Sequence, residues 1–190
     1  MQPLKPLADL VTPPLQQQFV RRARLPEHKT DLWQIKSGVV CSMTWTSEGE
    51  LVCLGYWEAG DIVGHGLSRV QPYELHCLTD VVISSYPHHE WSQLTDALVH
   101  RQQQTEELLS IIHLNPLSHK LWQLLVWLSQ KFGRDVENGR LLDLPLTHQH
   151  LAQTLGTNRV TVTTILQRLE AEGKIHRQQR RLVVTRHSSY

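Results

Sequence analysis

The sequence predicts an α+β protein: an antiparallel β barrel or jelly roll, then one long helix, then a winged helix-turn-helix. Three observations predict it. From Asp31 to Pro87 short period-two segments alternate with glycine-marked turns and no helical stretch intervenes. From His88 to His113 the chain holds no Gly or Pro and has helical spacing of apolar residues. From His148 to Gln167, HQHLAQTLGTNRVTVTTILQ reads as two short amphipathic helices about Gly156.

The lead-in is irregular, with four prolines at positions 3, 6, 13 and 14, and a short helix is the reading for LQQQFVRRA, Leu15 to Ala23. DLWQIKSGVVCSMTW then gives one or two strands around Gly38. Ser47-Glu48-Gly49 is a hairpin signal, and ELVCLGYW is the returning strand. A turn at Glu58 to Asp61 leads into IVGHGL, and one further strand is expected in LHCLTDVVISSYP, Leu75 to Pro87.

In the long helix, Trp91, Leu94, Leu98, Arg101, Thr105, Leu108 and Ile112 recur at alternating spacings of three and four, a heptad seam. Little else in the chain is left to cover that seam, so a symmetric second copy is the expected partner, the alternative being that the stripe packs on its own β barrel. Asn115-Pro116 ends this helix. LSHKLWQLLVWLSQKFG is a second amphipathic helix with Leu121, Leu124, Leu125 and Leu128 on one side. Its Trp122 and Trp127 are read as core residues rather than base-stacking ones. FGRDVENGRLLDLPL is a loop with a strand in Arg140 to Leu146. These readings place boundaries at 1–89, 90–114 and 115–190.

In the hairpin itself, Leu151 and Leu155 share a face with Ala152 beside them, and Gly156 can take the left-handed conformation that ends a helix. Thr157 and Asn158 offer N-cap oxygens, and Thr147 offers one for the first helix. Val162, Ile165, Leu166 and Leu169 form the buried stripe of the second helix. Its outer face carries Val160, Thr163, Thr164 and Gln167, with Arg159 at the N-terminal edge, side chains short enough to enter a major groove. After Gly173, KIHRQQRRLVVTR reads as two short strands about Gln178-Gln179. Such a wing brings Arg177, Arg180 and Arg181 near phosphates.

Charge agrees with this division. The net charge is +1, but Leu146 to Tyr190 holds seven Lys and Arg against two acids, giving +5, and the rest holds twelve against sixteen, giving −4. A basic end on an otherwise acidic chain points to nucleic acid at that end. Three cysteines, Cys41, Cys53 and Cys77, with no CxxC, argue against a disulfide framework or structural zinc. The twelve histidines show no metal-ligand spacing. No apolar run reaches about 18 residues and MQPLKPLADL has no signal-like core, so a cytoplasmic protein with no membrane partner is expected. No metal triad, nucleophile motif or phosphate loop is present, which argues against an enzyme.

A roll, a long helix and a winged helix-turn-helix in this order resemble the Crp/Fnr family of bacterial transcription regulators, from about Asp31 to Arg186. LTHQHLAQTLGTNRVTVTTILQRLEAEGKI carries the resemblance most closely. GDIVGHGL resembles the family's turn into its ligand cassette, and WQIKSGVV its early strand ending in Ser-Gly. The resemblance implies a cyclic-nucleotide-binding-like β-roll, with its first strands reduced here, and a homodimer on a near-palindromic double-stranded DNA site, with RNA polymerase as a candidate partner. It gives Arg159 the role of reading a guanine, and Thr147, Gln149, Asn158 and Thr161 the role of holding phosphates.

This chain departs from the family in two places. Val160 and Thr164 stand where the cyclic-AMP receptor has Glu and Arg. Val160 resembles instead the nitrogen-control branch, which usually keeps an Arg at the Thr164 position, so a different half-site is implied. In the cassette GHGLSRVQPYELHCLTD, the pocket-like residues are Gly64, His65 and Arg69. His65 replaces the ribose-binding Glu, and the Arg-Ala/Ser pair that supplies the phosphate-binding Arg is missing around Pro72 and Tyr73. No cyclic nucleotide is therefore expected; with no amino-terminal cysteine cluster no iron–sulfur centre is expected either, and no cofactor. The competing reading is a haem or small-molecule sensor acting through protein partners, with His65, His76 or Cys77 as haem ligands.

Overall fold

The computed structural model describes residues 16–27, 30–178 and 181–185. Seven strands build the amino-terminal half: β1 (Gln16–Phe19), β2 (Asp31–Ser37), β3 (Val40–Trp45), β4 (Leu51–Trp57), β5 (Ile62–Val63), β6 (Glu74–Cys77) and β7 (Val81–Pro87). They form two antiparallel sheets, β1-β7-β2-β5 and β4-β3-β6. The inner faces of both contribute to one apolar core that includes Trp33, Ile35, Trp57, Tyr73, Leu75 and Ile83. Between β2 and β3, Gly38 has φ +88, and a Cβ there would lie 2.1 Å from the Asp80 carbonyl oxygen, so only glycine lets the two turns touch.

Two expectations are corrected in the roll. Gln16 to Phe19 is strand, not helix: it pairs with β7 from Gln16↔Ser84 to Phe19↔Val81, and Phe19 packs on the core. Three glutamines carry little preference of their own, and the open edge of β7 decides. The single strand expected over Leu75 to Pro87 is two strands in different sheets. The break is at Thr79 and Asp80, whose side chains accept from the Val39 and Arg21 N–H groups at 2.9 and 2.8 Å. Local side-chain bonding of this kind competes with a continuous ladder.

A 3₁₀ stretch, His88–Leu94, opens the long helix, whose α-helical part is α1 (Thr95–Ile112). Then come α2 (Leu117–Phe132), β8 (Gly133–Val136), β9 (Gly139–Leu142), α3 (His148–Leu155), α4 (Arg159–Ala171), β10 (Ile175–Gln178) and β11 (Arg181–Thr185). The segment read as loop plus strand is thus a complete hairpin. It extends the wing to a four-stranded sheet, β10-β11-β9-β8.

α2 is the spine of the carboxy-terminal half. Its Leu121, Leu124, Leu125 and Leu128 are fully buried against Leu151, Ala152 and Leu155 of α3 and Val162, Leu166 and Leu169 of α4. Trp122 and Trp127 pack on the same cluster. The cluster continues into the outer face of the second roll sheet through Cys41, Met43, Cys53 and Tyr56, so roll and hairpin share one core.

The predicted seam of α1 divides between two faces. Leu94 and Leu108 are buried within the protomer, as are Gln104 and Ile111, and Arg101 turns into the roll. Thr105 is exposed and Leu98 and Ile112 are partly so, and they share their side with Leu109, 50% exposed, and Val99, 53% exposed. Beneath α1, Asp61 is 2% exposed and accepts from Gln104 of α1 at 2.9 Å and from Lys131 of α2 at 3.1 Å. Lys131 also donates to the Tyr56 carbonyl at 2.9 Å and to the Gln104 side-chain oxygen. One buried carboxylate therefore ties the roll, the long helix and the carboxy-terminal half together.

Candidate nucleic-acid interface

The hairpin is set by its caps. The Thr147 hydroxyl accepts from His150 N–H at 3.2 Å, and His150 Nδ1 accepts from Thr147 N–H at 3.3 Å. This is a capping box with histidine in the place of the usual Glu or Gln. Gly156 closes α3 in the left-handed conformation, φ 62 and ψ 45. Asn158, not Thr157, is the N-cap of α4: its Oδ1 accepts from the Thr161 N–H at 2.8 Å and the Thr161 hydroxyl at 3.0 Å.

Those caps aim α4 outward. Val162, Leu166 and Leu169 face the core. Arg159, Val160, Thr164 and Gln167 are exposed, with Val160 at 75%. The Thr164 hydroxyl is turned back to the Val160 carbonyl at 3.2 Å, which leaves its methyl as the outward surface. Thr163 is half-buried: it donates to the Arg159 carbonyl at 2.9 Å and meets His148 Nδ1 at 2.8 Å. Gln149 and Thr147 are exposed on α3 and its cap, beside helix starts whose first N–H groups are available to anions.

The wing arginines are partnered. Arg177 meets Glu170 at 3.3 Å and Arg181 meets Asp143, while Arg180 lies outside the described residues. Both pairs are about half exposed, where an ion pair contributes roughly 0–1 kcal/mol, so a phosphate can replace the carboxylate at little cost. Arg159 has no ion-pair partner among the described residues.

Sequence reasoning missed His148. Burial and then the charges of Arg177 and Arg159 hold its imidazole below the usual histidine range. His150 is likewise lowered, by burial and then by Arg21 and His76. Only their positions in the first turn of α3 hinted at this.

The cassette residues are placed differently from expectation. Gly64, His65 and Arg69 do not line the cavity between the roll and α1, a space of about 360 Å³ bounded by Ser42, Trp57, Ser68, Tyr73, Arg101 and Thr105 among others. Gly64 packs on Leu32, His65 Nε2 contacts the Tyr73 carbonyl at 3.1 Å, and Arg69 is exposed. The cation facing this space is Arg101, read from sequence as part of the seam. It donates to the Ile62 carbonyl at 2.9 Å and lies 3.7 Å over the Trp57 ring. Of the proposed haem ligands, His76 meets Glu74 and Cys77 is buried in the roll core.

Comparison with known proteins agrees with this geometry. Residues 119–188 match the Crp-like helix-turn-helix domain. The regulatory protein CysR of Synechococcus elongatus is 42% identical over 169 residues, covering 86% of this chain and 81% of that protein. The chain belongs to the Crp/Fnr family of transcription regulators. A global nitrogen regulator from Nostoc is 31% identical over 81 residues, 43% of this chain and 36% of its own length. A CRP-family transcriptional regulator from Thermus thermophilus matches with TM-score 0.76 at 18% identity, covering 90% of this chain and 92% of that one. A protein containing a cyclic nucleotide-binding domain from Listeria monocytogenes matches with TM-score 0.77 at 11% identity, covering 90% and 89%. At such identities these two show the fold alone. Among the described residues, no helix is long and apolar enough to cross a membrane.

Proposed function

We propose that this Crp/Fnr regulator works as a cytoplasmic homodimer that reads a near-palindromic duplex without a cyclic nucleotide. The observation that carries the reading is the outer face of α4. Arg159 is exposed there with no ion-pair partner among the described residues, Val160 and the Thr164 methyl present apolar surface, and His148 lies close enough to feel the Arg159 and Arg177 charges. Arg159 suits the two acceptors of guanine, and Thr164 suits a thymine methyl. Thr147, Gln149, Asn158, Thr161, Arg177, Arg180 and Arg181 hold phosphates around that contact.

The dimer reading is supported by the outer side of α1, where Leu98, Thr105, Leu109 and Ile112 keep heptad spacing at the surface. A twofold axis there sets two recognition helices roughly 34 Å apart. The chain then divides into a sensor-like roll over 1–89, a dimerisation helix over 90–114 and a DNA-binding part over 115–190, with RNA polymerase as a further partner. Independence from cyclic nucleotides is supported by the cavity lining, which holds no carboxylate for a ribose and an arginine already engaged with Ile62 and Trp57.

Selection of bound duplexes from a random-sequence library tests the whole reading. An inverted repeat with half-sites one helical turn apart is expected, unchanged by added cyclic AMP. A lone half-site, or enrichment only with the nucleotide, overturns the corresponding part. Leu98→Arg with Leu109→Arg is expected to turn the dimer into a monomer in sedimentation equilibrium.

A further inference from the structure

We propose that Cys41 and Cys53 form a dithiol site, oxidisable by hydroperoxide to a disulfide, at the joint between the roll and the recognition hairpin. The two sulfurs lie 2.8 Å apart and both residues are buried. A disulfide bond is about 2.05 Å long, so the approach needs only a small closure.

A β-bulge makes this pair. The β3–β4 ladder runs Ser42↔Gly55 and then Met43↔Cys53, which leaves Leu54 without a partner. Without the extra residue, side chains three apart would point to opposite faces of the sheet. With it, Cys53 and Tyr56 both face the carboxy-terminal half beside Cys41, and Leu54 packs on the roll core. The pair then touches the hairpin. Tyr56 Oη and Thr154 Oγ1 of α3 are 2.6 Å apart, and Thr154 spends its own hydrogen on the His150 carbonyl at 2.9 Å, so Tyr56 is the donor.

The two thiols have unequal characters. Burial pushes Cys41 up. Burial also opposes ionisation of Cys53, but hydrogen bonding, led by the Cys41 thiol, outweighs it and brings its pKa down. We take Cys53, whose sulfur lies 2.8 Å from the Cys41 thiol, as the first nucleophile. Its sulfur attacks one peroxide oxygen; an S–O bond forms, the O–O bond breaks, and water leaves. Cys41 sulfur then attacks the sulfenic sulfur; the S–S bond forms, the S–O bond breaks, and a second water carries off the hydroxyl and a proton. Two thiols lose two electrons and one hydrogen peroxide gains them. A dithiol reductant reverses the step by exchange.

Closure removes both thiol hydrogens. Cys53 loses its contact to the Gly55 carbonyl, and the Cys41–Cys53 hydrogen bond is replaced. Cys41 is the register partner of Tyr56, so the change falls on the residue that holds α3. Cys77 is the internal control: it sits in the roll core with its pKa raised to about 11 by burial and then by Asp80.

The test treats the reduced full-length protein with hydrogen peroxide, blocks free thiols in denaturant, and digests with an endoprotease that cuts after Glu48 and Glu50 between the two cysteines. A Cys41–Cys53 linked peptide with Cys77 fully alkylated is expected, absent in Cys41→Ala and in Cys53→Ala. Hydrogen exchange in α3 is expected to quicken about twofold on oxidation of the natural sequence and not in either variant. Full alkylation of Cys41 and Cys53, a disulfide through Cys77, or unchanged exchange in α3 overturns the proposal. Neither readout uses DNA, so its failure and that of the DNA-reading assignment are distinguishable.

Discussion

Arg159 and Arg101 are the same side chain in opposite circumstances. Arg159 stands at the start of α4, exposed and without an ion-pair partner among the described residues. Arg101 leans into the roll, with a carbonyl at 2.9 Å and an indole ring 3.7 Å below its guanidinium, and burial lowers its pKa. The first makes no ion pair among the described residues and leaves its guanidinium in solvent. The second is part of the fold, and an anion entering that cavity would have to compete with protein groups for it.

That contrast can be broken or sharpened by mutation. The largest effect is expected at the joint beside Arg101. Asp61→Ala removes the only carboxylate bonded to the buried Lys131 ammonium among the described residues and the acceptor of Gln104 Nε2, and is expected to cost about 3–5 kcal/mol in chemical denaturation. Arg101→Ala is next: it leaves the Ile62 carbonyl without its donor and opens one face of Trp57, for about 1–3 kcal/mol of stability. Arg159→Ala is expected to invert that pattern. Stability stays within about 0.5 kcal/mol, while affinity for the selected duplex falls roughly 10- to 100-fold and affinity for unrelated DNA changes little. An equal loss on both DNAs in a mobility-shift titration would remove Arg159 from base reading.

The smallest effect concerns pH. His148 is lowered in the free protein, so protonation favours the unfolded chain, and its contribution to stability is lost as pH falls below the ordinary histidine value of about 6.5. A phosphate beside Arg159 and Arg177 reverses the local potential and favours the proton. DNA affinity is therefore expected to rise, about two- to threefold between pH 7.5 and 6.0, as stability falls. Titrations of His148→Ala by fluorescence anisotropy should lose that dependence.

The same contrast explains what was legible in the sequence. The hairpin could be read because caps, a glycine and a helical stripe are local signals, and Thr147, Gly156 and Asn158 do what their chemistry suggests. The seam on α1 was only half legible. Seven residues fit one period, but the protomer's own core takes Leu94 and Leu108 and the roll takes Arg101, and periodicity does not say which neighbour covers a stripe. The cavity was misplaced for a similar reason. Its lining comes from residues 42 to 105, brought together by sheet packing that no short motif encodes. β1 was missed because the strand is made by its partner β7 rather than by its own glutamines.

The shared core has a consequence for how the molecule melts. Cys41, Met43, Cys53 and Tyr56 lie in the same apolar cluster as the leucines of α2, α3 and α4. Neither half can open without wetting the other, so heat should reveal one cooperative transition where beads on a string would show two.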